Sequence, residues 1–209
     1  RFLMLPVPEN AAAYEGTIRE RYGDLADDYL RLYPSSDLEE AALAAPRDAL
    51  YGWTATRLVR SQSAIGAPAY LYHFDHSYPA ASEMDLHGFH AAEIPYVFGN
   101  LTRTPPRWPV IPDTEEEHKL SDAMLGYWVS FTRGSEPEAP GAPGWRPYRE
   151  GRAYMAFAGT PRTGTDLAPG MFELHEEVVC RRRADGTQQW NWNTGVTSPP
   201  LPPRVEGCP

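Results

Sequence analysis

The chain has 209 residues, of which 42% are hydrophobic and 22% charged, and a formal net charge of −9. That is enough for one sizeable domain of ordinary globular composition. The negative balance argues against a nucleic-acid surface, which needs clustered cations, and no apolar run approaches the ~18 residues of a membrane span. Neither nucleic acid nor membrane is therefore expected as a partner, and no cofactor is expected.

In chain order, "ENAAAYEGTIRERYG" predicts a helix capped by Asn10 and stopped by Gly23. "SSDLEEAALAAP" carries a capping box, Ser36 with Glu39. "PRDALYGWTATRLVRSQSAIG" predicts a further helix starting at Pro46 and ending at Gly66, with Leu50, Trp53 and Leu58 on its apolar face. The period then changes. "APAYLYHF" is short, aromatic and bounded by turn formers, as a buried strand would be. A polar loop follows, Asp75 to Phe89.

"TEEEHKLSDAMLGYWVSFTRG" opens on a second capping box, Thr114 with Glu117, and places Leu120, Ala123, Tyr127, Trp128 and Phe131 in a helical stripe. "RAYMAF" predicts a second strand and "MFELHEEVVCRRR" a last helix, whose Arg181, Arg182 and Arg183 suit the negative end of the helix dipole. The tail, residues 195–209, is Pro-rich and expected to run extended. Cys180 and Cys208 have no CxxC spacing. They are either two free thiols or one disulfide tying the tail to the last helix, and a disulfide would imply export to an oxidising compartment. Helices flanking sparse hydrophobic strands indicate an α/β layer architecture. The two visible strands are fewer than a parallel sheet needs.

Four of the six histidines fall close together: His73, His76, His87 and His90. A metal site would need a third convergent ligand, and none is placed by spacing; no metal is expected. His90 is set apart by position. It ends a polar loop that leaves a buried strand, and in open α/β sheets ligands bind beyond the carboxyl ends of strands. Catalytic residues favour such loops.

The segment "FHAAEIPYVFGNL" resembles the histidine segment of the type-B carboxylesterases, the family of para-nitrobenzyl esterases and cholinesterases, which reads H-x-x-E-[IL]-x-[FY]-V-F-G. His90, Glu93, Ile94, Tyr96, Val97, Phe98 and Gly99 match it. "GAPAYLYHFDH", "YWVSFTRGSEPEAPGAPGWRPY" and "RAYMAF" extend the resemblance over roughly residues 45–160. The resemblance implies an α/β-hydrolase fold, with this chain holding its last sheet strands and flanking helices.

It also implies that His90 is the general base of a Ser-His-Glu triad that hydrolyses a small carboxylic ester through an acyl-enzyme. Histidine is the residue type this chemistry asks for: it takes the serine proton, then returns a proton to the leaving alcohol. His87 lies outside the motif and reads as a loop residue. Glu93 reads as a buried carboxylate that either supports the catalytic residues from behind or is structural, bonding local backbone or a neighbouring side chain, because in the family the triad acid comes from another strand-end loop. Phe89, Tyr78 and Met84 flank the histidine and are candidates for pocket walls or for packing.

No G-x-S-x-G nucleophile elbow occurs in the chain, and no HGG-type oxyanion motif. Alignment on the histidine puts the family's acid-bearing string immediately before Arg1. The expectation is therefore that residues 1–209 are the C-terminal part of one α/β-hydrolase domain from a cleaved enzyme. Its N-terminal segment, a separate chain, would be the partner carrying serine and glutamate. A second reading is a non-catalytic, cholinesterase-like protein-interaction module. A third is a metal-dependent hydrolase using the clustered histidines.

Overall fold

The computed structural model describes residues 4–134, 136–187 and 194–208. They divide into two compact units: residues up to Leu58 together with those from Ala168 onward, and Val59–Leu167.

The first unit is helical. α1 (Ala11–Tyr22) begins at Asn10, whose side chain accepts from the Ala13 amide at 2.9 Å, and ends at Gly23, at a φ of 55°. α2 (Ala26–Leu32) follows a 3-10 turn. α3 (Leu38–Arg47) is capped by Asp37, not Ser36: the Asp37 carboxylate accepts from the Glu40 amide at 3.0 Å. The box is thus displaced by one residue, because a carboxylate at the neighbouring position satisfies the orphan amide.

Pro46 does not start a helix; it lies inside α3. Proline has no amide hydrogen to give the carbonyl four residues back. Here that carbonyl, Ala42, accepts instead from the Leu5 amide at 3.0 Å. A π turn (Asp48–Gly52) then carries the chain into α4 (Trp53–Ala64). Trp53, Thr56 and Val59 are buried along α4, whereas Leu58 is exposed, contrary to the face read from spacing.

The core of this unit is a file of tyrosines, Tyr14, Tyr22, Tyr29 and Tyr33, packed with Ile18, Leu174 and Val178. Their hydroxyls are used: Tyr14 donates to the Tyr33 carbonyl at 2.8 Å, and Tyr22 accepts from the Gly195 amide at 2.8 Å. α8 (Met171–Ala184) ends in the three arginines. Arg181 does more than complement a dipole. It is buried, and holds both carboxylate oxygens of Asp24, at 2.7 and 2.8 Å, and Glu177 at 2.6 Å. Cys180 and Cys208 form a disulfide, with Cα atoms 5.7 Å apart. The tail opens with a 3-10 turn (Gly195–Thr197), and the Leu201 amide donates to the Arg21 carbonyl at 2.7 Å.

The second unit contains the sheet, in the order β1-β2-β3. β1 (Leu71–Phe74) pairs parallel with β2 (Ala153–Phe157), from Leu71 opposite Tyr154 to Phe74 opposite Phe157. β2 buries Ala153, Met155 and Phe157 in alternation, the period of a pleated strand. β3 (Arg162–Thr165) pairs antiparallel with β2. A Cβ on Gly164 would sit 2.5 Å from the Tyr154 ring, so a side chain there would need that ring to move.

α7 (Glu115–Thr132) lays Leu120, Met124 and Tyr127 on the core formed by Met155, Phe157 and Trp145. Of the predicted stripe, Ala123 and Trp128 are partly buried and Phe131 is exposed. The Trp145 indole donates to the Leu71 carbonyl at 3.1 Å, which fixes the Trp145–Tyr148 loop to β1.

Candidate active site

β1 ends at Phe74, and the Asp75 amide continues the ladder by donating to the Phe157 carbonyl at 2.9 Å. The chain then leaves the sheet. It makes a short helix, α5 (Pro79–Glu83), in a stretch read from sequence as loop, and returns to the strand end at Gly88. A Cβ on Gly88 would lie 2.9 Å from the Phe74 carbonyl oxygen and 3.2 Å from the Asp75 Cα. Only glycine allows the loop to come this close to the strand. Two residues later comes His90, exposed, and then α6 (Ile94–Val97).

The backbone here is unusual. Asp85, His87 and Ala91 all have positive φ, at 52°, 52° and 67°. Non-glycine residues rarely adopt that region, and clusters of such residues mark sites where surrounding structure over-determines the chain.

Beneath the loop lies a buried carboxylate. Glu117, in the first turn of α7, is only 5% exposed. Its Oε2 is 2.8 Å from His76 Nε2 and accepts from the Tyr96 hydroxyl at 2.5 Å. One turn on, Ser121 donates to the Tyr96 carbonyl at 3.1 Å. The Thr114 hydroxyl accepts from the Glu117 amide at 3.4 Å, but the Thr114 amide goes to the Pro112 carbonyl. Burial, reinforced by the hydrogen bond to the Glu117 carboxylate, holds the Tyr96 phenol far above its ordinary value.

The other candidate residues are placed as follows. Glu93 is partly buried at the start of α6, where its carbonyl accepts from the Tyr96 and Val97 amides. Burial, with the Glu93 charge as a smaller contribution, pushes the Tyr72 phenol up. Tyr78 is buried and donates to the Pro109 carbonyl at 2.9 Å, so it packs in the core. Phe89 is partly buried, edge-on to Trp108 at 5.0 Å. Met84 is exposed. His87 is exposed beside Asp85, 3.1 Å away. Among the described residues, no three His, Cys, Asp or Glu side chains gather as a metal-binding group.

An exposed imidazole on a pinned loop beyond a strand end, with the H-x-x-E-I-P-Y-V-F-G pattern around it, meets the carboxylesterase family model, which matches residues 8–172. The chain belongs to the carboxylesterase family. Liver carboxylesterase B-1 of Rattus norvegicus is 26% identical over 170 residues, covering 78% of this chain and 28% of the rat protein. The medium-chain fatty acyl-CoA hydrolase precursor of Anas platyrhynchos is 27% identical over 161 residues, 73% of this chain and 28% of its own. A PNB esterase structure superposes with a TM-score of 0.59 at 25% identity, over 79% of this chain and 33% of its own. A thermophilic PNB esterase gives a TM-score of 0.57 over the same share of this chain.

The fold class is accordingly α/β, part of an α/β-hydrolase fold. This carboxylesterase-family chain spans about a third or less of the length of the proteins it matches. Sequence reading singled out His90 by its motif and took Glu117 only as a cap partner, without anticipating its burial against His76 and Tyr96. The signal was present: Glu117 is in helical phase with Leu120, Ser121 and Met124 on the buried face of α7, so a charge was headed into the core.

Proposed function

We propose that this chain supplies the general base, His90, of a serine carboxylesterase acting on small esters. The observation that carries the reading is the placement of His90. It is exposed two residues after the Gly88 contact, at the carboxyl end of β1, where α/β folds assemble active sites. In this reading the serine and the triad glutamate come from polypeptide outside these 209 residues, since no G-x-S-x-G occurs within them.

The chemistry asked of His90 is a proton transfer in each direction. As serine Oγ attacks the ester carbonyl, the imidazole takes the hydroxyl proton. As the tetrahedral species collapses, the imidazolium gives that proton to the departing alkoxide, and the alcohol leaves. Water then repeats the sequence on the acyl-enzyme: it loses a proton to His90, attacks, and the acid is released with serine reprotonated. The carboxylate from the other segment orients the ring and stabilises the imidazolium. Support comes from the family match and from the pinned loop.

The test is labelling of the complete polypeptide assembly with a fluorophosphonate probe, alongside hydrolysis of a short-chain nitrophenyl ester. Labelling that is slowed while the ester is present in excess, together with hydrolysis of that ester, supports the esterase. A folded assembly that neither labels nor hydrolyses belongs to the non-catalytic, cholinesterase-like reading instead.

A further inference from the structure

We propose that Glu117 is a positioning residue for His90: one buried carboxylate oxygen holds His76, where the histidine loop leaves the sheet, and Tyr96, where that loop ends in α6. The inference rests on the reading of His90 as the base and adds the device that aims it.

The geometry is specific. His90 is exposed on a stretch that includes three positive-φ residues and two short helices, and that stretch packs on the core through Tyr78, Ala81, Tyr96 and Val97. Packing alone is non-directional and leaves the aim of an exposed imidazole to the hydrogen bonds behind it. Catalytic groups need their positions fixed to a fraction of an ångström by packing and hydrogen bonds behind them. Both ends of this stretch converge on Glu117 Oε2, at 2.8 Å from His76 Nε2 and 2.5 Å from the Tyr96 hydroxyl.

The rings are packed as well as bonded. His76 and Tyr96 meet edge to face at 5.4 Å, and Phe74, the last residue of β1, packs on Tyr96 at 5.7 Å. Ser121 adds a bond to the Tyr96 backbone from the same helix. The loop is thus tied to α7 at its two ends and wedged against β1 at Gly88 between them.

A buried carboxylate is costly unless its hydrogen bonds are made. A hydrophobic residue at 117 would complete the stripe of α7 without that cost. What Glu117 contributes that such a residue would not is direction: it selects one arrangement of His76 and Tyr96. Closing the capping box on Thr114 would need only an exposed glutamate, and the Thr114 amide is taken by Pro112 in any case.

The experiment is steady-state hydrolysis of a short-chain nitrophenyl ester by the complete esterase, with kcat expressed per serine titrated to completion by a phosphonate. Glu117→Ala is expected to lower kcat about 10- to 100-fold. KM should stay within about threefold, because the base serves acylation and deacylation alike. Glu117→Gln keeps an acceptor oxygen and should recover most of the loss. The double variant Glu117→Ala with Tyr96→Phe should be no slower than Glu117→Ala alone, as non-additivity within one network requires.

If Glu117→Ala does not fold, Tyr96→Phe and His76→Asn each cut one tie, and each should lower kcat about 3- to 10-fold. A kcat per titrated site within twofold of wild type in every variant that folds would overturn the proposal, even if the yield of folded enzyme falls. The two readings fail separately. If His90→Ala abolishes turnover while Glu117→Ala does not touch it, only the positioning role is lost. If His90→Ala leaves turnover intact, the base assignment is lost and this inference with it.

Discussion

Gly88 rests against Phe74 so closely that a methyl group on its Cα would sit 2.9 Å from the Phe74 carbonyl oxygen. The obstacle is backbone, not a side chain that can swing away, so Gly88→Ala must move either the loop or the end of β1. Overpacking of this kind costs roughly 1–3 kcal/mol. The expected outcome in the complete enzyme is a folded protein, destabilised within that range in urea, whose ester turnover falls at least tenfold. A variant with unchanged turnover would show that the contact does not govern where His90 points.

His175 predicts an acid-sensitive stability. It is buried in the first unit, its Nε2 2.9 Å from the Tyr33 hydroxyl, which also donates to Asp48 at 3.2 Å. Burial, only partly opposed by the Asp48 charge and assisted by Arg182, lowers its pKa to about 4. The folded value lies below the unfolded one, near ~6.5. The unfolded chain therefore binds a proton first, and stability falls as pH drops through 6.5 towards 4. Between about pH 7.5 and pH 5 the loss attributable to this one group is about 2 kcal/mol. Urea unfolding of wild type and His175→Gln across that range measures it: the two should differ most at high pH and converge as the pH falls.

The Cys180–Cys208 disulfide closes a loop with a sequence separation of 28. On the chain-entropy account such a link contributes about 3–4 kcal/mol. Intact mass without reductant should be two hydrogens below the reduced mass, and Cys208→Ser should lower stability by up to that amount. Such bonds persist in oxidising compartments, so the same bridge in material isolated from the native source is the expected outcome. Recovery of free thiols from native material would contradict both.

The legible parts of the fold were those governed by local chemistry. Asn10 and Gly23 bound α1 because an amide acceptor at one end and a left-handed backbone at the other are local requirements. β2 and α7 were legible because their apolar periods match their secondary structure. Pro46 misled because its missing amide is compensated from far away: the Ala42 carbonyl finds Leu5, which no local rule anticipates. β3 was missed because Arg-Thr-Gly-Thr carries no apolar alternation and is held as a strand only by its pairing with β2. In the candidate site, the motif singled out His90, packing was one of the two readings open for Tyr78 and is the one its burial bears out, and Glu117 was hidden by its resemblance to an ordinary cap partner. Long-range partners decide all of these, and a linear pattern does not carry them.

The measurement closest to the central claim is the turnover of His90→Gln in the complete enzyme, on a short-chain nitrophenyl ester at neutral pH, with folding verified by an unchanged urea midpoint. Loss of a triad base costs about 10³- to 10⁶-fold. The account predicts a fall in that range with KM little changed. Turnover within tenfold of wild type would contradict it, and would place the proton transfer on another residue.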